Sequence, residues 1–225
     1  MKKILLLNLA LLSTVLFGQN VVLNKVVKTH TNDDKVFYKI NPETTAADYL
    51  GEVEVQGFSE QDAKVFGMIY KKAKEIGANA FSWKPFEEVD GSLTKFEPSH
   101  YKLSLFYVQL SDFPKEENTV YFISSPYKKQ TISINRDKKD FEPRSYTKIN
   151  LDAGEIYTIS TRKLLGSTIK IAAQQNQPVQ YFQLSGLAVN SNDDNKPGIN
   201  FKSGDIIRLE QSYAQFLTTI YHYFK

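Results

Sequence analysis

Cysteine is absent from all 225 residues. No disulfide can form, no thiolate can hold zinc, and no N-terminal cysteine is available for lipid modification. Tryptophan occurs once, methionine twice and histidine three times. His30, His100 and His222 are scattered, and none stands at metal-ligand spacing from another histidine or a carboxylate. No G-x-S-x-G, H-E-x-x-H or phosphate-binding loop occurs. After residue 20 no apolar run approaches the ~20 residues of a membrane-spanning helix. These absences leave no catalytic, cofactor-binding or metal-ligating residue to assign. They point to a non-enzymatic protein, without cofactor, that folds by burial alone.

What is present begins with a leader. Lys2 and Lys3 precede an apolar stretch, residues 4–17, interrupted only by Asn8, Ser13 and Thr14. Gly18 and the polar Gln19 follow. That layout is a secretory signal peptide over residues 1–18, and the apolar run is too short for a membrane anchor. The mature chain is expected in the periplasm or secreted, with no transmembrane span.

Thirteen tyrosines and fifteen phenylalanines favour strands in that mature chain. Charge divides it unevenly. Residues 19–118 carry 12 basic and 16 acidic side chains, and residues 119–225 carry 14 and 9. All four arginines (Arg136, Arg144, Arg162, Arg208) fall in the later part. The expected fold class is α+β: a small helix-on-antiparallel-sheet domain over 19–111, a linker over 112–118, and an all-β, sandwich-like domain over 119–225.

The first domain opens with strand-like runs at 21–28 and 35–40, which could pair as a hairpin. In 51–57, Val53 and Val55 alternate with Glu52, Glu54 and Gln56, as in a strand with one buried and one wet face. Ser59 then reads as the opening of a helix. Ala63, Phe66, Ile69, Tyr70, Ala73 and Ile76 form its apolar stripe, and Gly77 suits a left-handed stop. A short strand with a core Trp83 follows. The run at 100–110 is apolar on both faces and is expected at the centre of the sheet. The G-E-V-E-V strand, the helix end and the tetrapeptide Gly77-Ala78-Asn79-Ala80 resemble the α+β domain of the heavy-metal-binding family. They are similar also to the stress-sensing lipoprotein of the Rcs phosphorelay. The resemblance implies a fold. It also suggests metal handling as an alternative function, although the sensor's lipidated cysteine and disulfides have no counterpart here.

In the second domain short strands are expected at 120–125, 130–135, 146–151, 155–161, 167–172, 179–189 and 205–211, with turns between them, one at 135–139. Residues 216–224 read as a last strand, with a terminal helix as the alternative. Residues 145–159 (SYTKINLDAGEIYTI) resemble β-sandwich domains of bacterial envelope lipoproteins and PEGA-type surface domains, which implies a structural or binding module.

Three groups of residues invite a functional reading. Glu87, Glu88 and Asp90 offer carboxylates for hydrolysis of an envelope polysaccharide, but in a turn where a solvated loop explains them. Residues 192–195 (NDDN) are rich in oxygen ligands yet lack the glutamate that closes an EF-hand loop. Lys128, Lys129, Arg162 and Lys163, with the basic turn at 136–139, are the candidate partner-binding residues. They lack the interleaved aromatics of a nucleic-acid surface, so no nucleic-acid partner is expected. The expected partner is an envelope protein or an anionic surface polymer.

Overall fold

The computed structural model describes residues 20–161, 166–184 and 206–224. Residues 1–18, where a signal peptide is expected, Arg162, Lys163 and residues 192–195 lie outside them. Among the described residues the fold is rich in β-sheet and has two α-helices. The chain divides into two compact units at Phe113 and Pro114.

The first unit is a five-stranded sheet in the order β1-β3-β5-β4-β2, comprising β1 (Asn20–Val26), β2 (Tyr38–Lys39), β3 (Asp48–Gln56), β4 (Ala80–Lys84) and β5 (His100–Tyr107). The doubly apolar run is indeed the central strand, β5. The two N-terminal runs do not form a hairpin. β1 pairs antiparallel with β3, while β2 pairs parallel with β4 at the opposite edge. Two residues of β2 are too few to set a hairpin register, and the apolar Phe37 and Ile40 beside them are buried.

Helix α1 (Asp62–Glu75) starts three residues after Ser59. The Ser59 hydroxyl accepts the Gln61 N–H at 2.9 Å, which makes a local turn and leaves the helix uncapped by any side chain. The buried stripe is Val65, Ile69 and Ala73; Ala63 is exposed, and Phe66 and Tyr70 are half-buried around Phe37. The helix ends as its glycine suggests. The Ala78 N–H bonds the Ala73 carbonyl and the Gly77 N–H bonds that of Lys74, with Gly77 at φ +77°. This is the paired closure of a Schellman motif. Trp83 is not a core residue: it is 36 % exposed near the end of β4, edge-on to Phe96.

The second unit holds two sheets and a helix. The antiparallel four-stranded sheet has the order β11-β10-β7-β8, from β7 (Gln130–Ile134), β8 (Asp137–Phe141), β10 (Ile156–Ser160) and β11 (Thr168–Ala172). The mixed five-stranded sheet has the order β13-β12-β6-β9-β14, from β6 (Thr119–Ile123), β9 (Ser145–Asn150), β12 (Gln180–Leu184), β13 (Ile206–Arg208) and β14 (His222–Tyr223). Residues 116–118 are not a free linker, because Glu116 and Asn118 bond the backbone of Val179, Gln177 and Leu151.

Two expectations fail in this unit. Residues 137–139, read as part of the turn at 135–139, belong to β8 (Asp137–Phe141); only Asn135 and Arg136 turn the chain. Residues 216–224 are not a strand. Helix α2 (Gln211–Ile220) occupies most of them, so the unit is not all-β. Its cap is a glutamate, Glu210, whose carboxylate accepts the N–H groups of Ser212 and Tyr213 at 2.9 and 3.0 Å. Ala214, Phe216, Leu217 and Ile220 are buried, and this helical spacing outweighs the β-branched composition. The ring of Phe224 packs edge-on against Phe141 at 4.7 Å.

The helix stop supplies a test. A Cβ at position 77 would lie 1.7 Å from the His30 carbonyl oxygen, on a backbone that alanine rarely adopts. Gly77→Ala is expected to destabilise the first unit by about 3 kcal/mol or more. A thermal melt should show a Tm lower by roughly 10 °C or more, and an unchanged Tm would show that neither constraint matters.

Candidate functional site

Strand alternation puts polar side chains on one face of each sheet, and these faces hold the candidate chemistry. In the first unit, Ser82, Lys84, Lys102, Ser104, Glu52 and Glu54 share the face opposite the Val53, Val55, Leu103 and Phe81 core. This face is not simply wet. Glu52 is only 4 % exposed. It accepts the Tyr49 hydroxyl at 2.5 Å and is paired with Lys84. Burial opposes ionisation of Glu52, but the hydrogen bonds of Lys84 and Tyr49 and the charges of Lys84 and Lys102 outweigh it. The carboxyl is held below its ordinary range. Burial, then Glu52, drives the Tyr49 hydroxyl upward.

Next to it, Glu54 accepts hydrogen bonds from Gln56 at 2.8 Å and Asn24 at 2.9 Å, and meets His100 Nε2 at 2.7 Å. Gln56 first, then His100, hold its carboxyl low. Phe86 lies over this network, 4.4 Å from the His100 ring and 4.3 Å beneath the Lys102 ammonium. Glu52 and Glu54 therefore form two stabilised carboxylates. Neither is a raised-pKa proton donor of the kind glycoside hydrolysis needs.

The carboxylates expected in the loop between β4 and β5 are at the surface. Glu87, Glu88 and Asp90 are all exposed, and Asp90 is held low by its bonds with Ser92. The three histidines are not brought together. His30 stacks on Tyr107 at 3.6 Å, His100 meets Glu54, and His222 is on β14 of the other unit. Among the described residues no three His, Cys, Asp or Glu side chains converge as a metal site. None of the helices described is long and apolar enough to cross a membrane.

Of the candidate partner-binding residues, Lys128 and Lys129 are exposed ahead of β7, and Lys129 is tied to Glu142 at 2.7 Å. Arg162 and Lys163 lie outside the described residues. The sequence did not single out the outer face of the four-stranded sheet. Thr131 and Ser133 on β7, Thr158 and Ser160 on β10, and Thr168 and Lys170 on β11 share the outer face of the four-stranded sheet with Lys138 and Asp140 of β8. Lys138 pairs with Asp140 at 3.3 Å. Among the described residues, the side chains of Lys170 and Arg136 have no ion-pair or hydrogen-bond partner. The signal for this face was the polar half of the alternating strands QTISI and IYTIS, which reads equally as ordinary solvated surface.

A row of tyrosines crosses the other sheet: Tyr181 to Tyr121 at 4.9 Å, Tyr121 to Tyr146 at 6.2 Å, and Tyr146 to Tyr223 at 5.4 Å. The first pair stacks ring on ring. The Tyr121 hydroxyl is taken by Glu116, and that of Tyr181 by Gln215 of α2. These rings serve packing. No family model, curated protein or solved structure matches the chain.

The Glu52 network predicts an acid limit. Both carboxyls are depressed in the folded state, so their contribution is complete above the unfolded carboxyl pKa, about 4.3. It is lost as pH falls through the folded values. Glu52→Gln should be less stable than the parent by ~1–3 kcal/mol at neutral pH. The gap should narrow as the pH is lowered toward 3. Melts at several pH values that run parallel would remove this role.

Proposed function

We propose that the protein is an exported, non-enzymatic cell-envelope protein that binds an anionic surface polymer through its second unit. Export is supported by the leader layout of residues 1–18, with the mature chain starting near Gln19 in the periplasm or outside the cell. The carrying observation is the outer face of the four-stranded sheet. Five hydroxyl side chains are set there beside two cations, Arg136 and Lys170, whose side chains have no partner among the described residues. Paired surface charges satisfy one another, whereas an unpaired cation remains available to a ligand.

We read the architecture as a helix-on-sheet domain followed by a sandwich-like domain. The support is one hydrophobic cluster that draws Ile132, Ile134, Phe141, Ile159 and Ile171 from one sheet and Val120, Phe122 and Leu184 from the other. Such a body leaves its outer sheet face free for recognition. Lys128, exposed ahead of β7, adds to the basic character of this unit, whereas Lys129 is paired with Glu142. The depressed carboxylates of the first unit favour a binding role over hydrolysis.

Cosedimentation of the secreted protein with purified acidic cell-surface polysaccharide tests this function. Binding should weaken strongly between about 0.05 and 0.5 M NaCl, as screening shortens the range of the charges. Charge reversal at Arg136 and Lys170 together should reduce it at least fivefold. Absence of pelleting at low salt, or pelleting indifferent to salt, would refute the reading.

A further inference from the structure

A cavity of about 390 Å³ opens on this face, lined by Ser133, Asn135, Arg136 and Thr158. Its volume falls within the ~300–1,000 Å³ of small-ligand sites. The hairpin turn between β7 and β8 builds its rim. Asn135 and Arg136 have φ +49° and +79°, so both central residues are left-handed, as a two-residue turn of type I′ requires. Asn135 fastens the turn to β10: its side-chain oxygen accepts the Thr158 N–H at 2.8 Å, and its own N–H donates to the Thr158 carbonyl at 2.9 Å.

Arg136 is the anomaly. Glycine is the usual second residue of such a turn, and an L side chain there is held at a cost in backbone strain. A strained non-glycine residue on a ligand-sized cavity is a pointer to function. The comparison within the chain is Arg144, also left-handed at φ +57°, whose guanidinium lies 4.8 Å over the Tyr221 ring. Arg144 thus has a packing reason for its position. The Arg136 side chain has no partner among the described residues. On the next strand, Lys170 stands directly opposite Thr158, adding a second unpartnered cation beside the cavity.

The chemistry of the ligand follows from these groups. A guanidinium fork with an ammonium nearby selects a carboxylate or a phosphate. The hydroxyls of Ser133 and Thr158 can each donate and accept, which suits the hydroxyls of a sugar ring. β7 and β10 are interior strands, each paired on both sides, so a peptide cannot join them by strand addition. A membrane surface is matched by clusters of about 4–8 basic residues, more than the two unpartnered cations here.

We propose that this cavity is a subsite for one anionic sugar unit of an acidic polysaccharide, with Arg136 on the carboxylate or phosphate and Ser133 and Thr158 on ring hydroxyls. This rests on the polymer-binding reading above and gives it a location and a ligand class.

Calorimetric titration of the purified secreted protein tests it, with trigalacturonate, its fully methyl-esterified form, and glucose 6-phosphate as probes. Trigalacturonate binding identifies the anion as carboxylate, and glucose 6-phosphate binding identifies phosphate. Either should weaken at least tenfold in Arg136→Gly, and the methyl ester should bind at least tenfold more weakly than the acid if carboxylate is read. Arg136→Gly relieves the left-handed strain, so its Tm should match or exceed the parent's. Loss of binding then reports the missing guanidinium rather than unfolding. Unchanged binding in that variant overturns the proposal, as does the absence of binding by both charged probes. If the protein still sediments with acidic polysaccharide while Arg136→Gly binds it normally, the cavity is wrong and the polymer reading survives. If nothing sediments, both fall.

Discussion

The first unit depends on one buried amide. Asn79 is fully buried, and its side chain donates to the Val108 carbonyl and to Asp34 while accepting the Val108 N–H, each at 2.8 Å. Its backbone bonds Phe106 on one side and Tyr38 on the other. One residue thereby joins the end of α1, the segment before β2 and the end of the central strand. Asp34 is fixed in turn by Lys74, which also donates to the Val36 carbonyl. An amide with this many partners in a buried site cannot be exchanged for an apolar residue without stranding backbone groups. The adjacent Gly77 allows the His30 carbonyl to press against the helix end. The tetrapeptide Gly77-Ala78-Asn79-Ala80 is the knot of the fold, and its polar members are consumed in tying it.

The same logic governs the charged face of that sheet. Glu52 alternates with buried valines, and period-two spacing alone marks it as facing water. Position in the sheet overrides that reading. Glu52 sits on β3 next to the central strand, where Lys84, Lys102 and Tyr49 converge across three strands and close over it. Alternation states which face a side chain leaves by. It does not state what meets it there, because the neighbours come from strands far along the chain.

In the second unit the candidate site rests on a turn. The sequence Asn135-Arg136 lacks the glycine that marks a tight hairpin, so the basic segment 135–139 reads as one long turn rather than a two-residue turn and a strand. The backbone instead accepts strain at Arg136, and Asn135 is locked onto β10. The outcome is β8, an edge strand carrying Lys138 and Lys139, charges that also discourage pairing with another chain. The basic residues that stood out in the sequence have unequal fates. Lys129 is neutralised by Glu142, whereas Arg136 is left facing a hydroxyl-lined cavity.

By itself the sequence determined the local elements whose causes are local. The central helix, its glycine stop, the strand identity of most alternating runs and the centrality of 100–110 all follow from spacing and composition over a few residues. It also carries no cysteine and therefore no thiol chemistry. Only the tertiary structure decided the pairings: β1 with β3, β2 parallel to β4, and a tail that is helical because Glu210 caps it and Phe216, Leu217 and Ile220 find a sheet to cover. It also decided which charges are spent and which remain. A salt-bridged lysine and one without a partner among the described residues are identical as letters, as are a buried glutamate and an exposed one. Their difference is made by residues tens of positions away, brought within a few ångströms by the sheet.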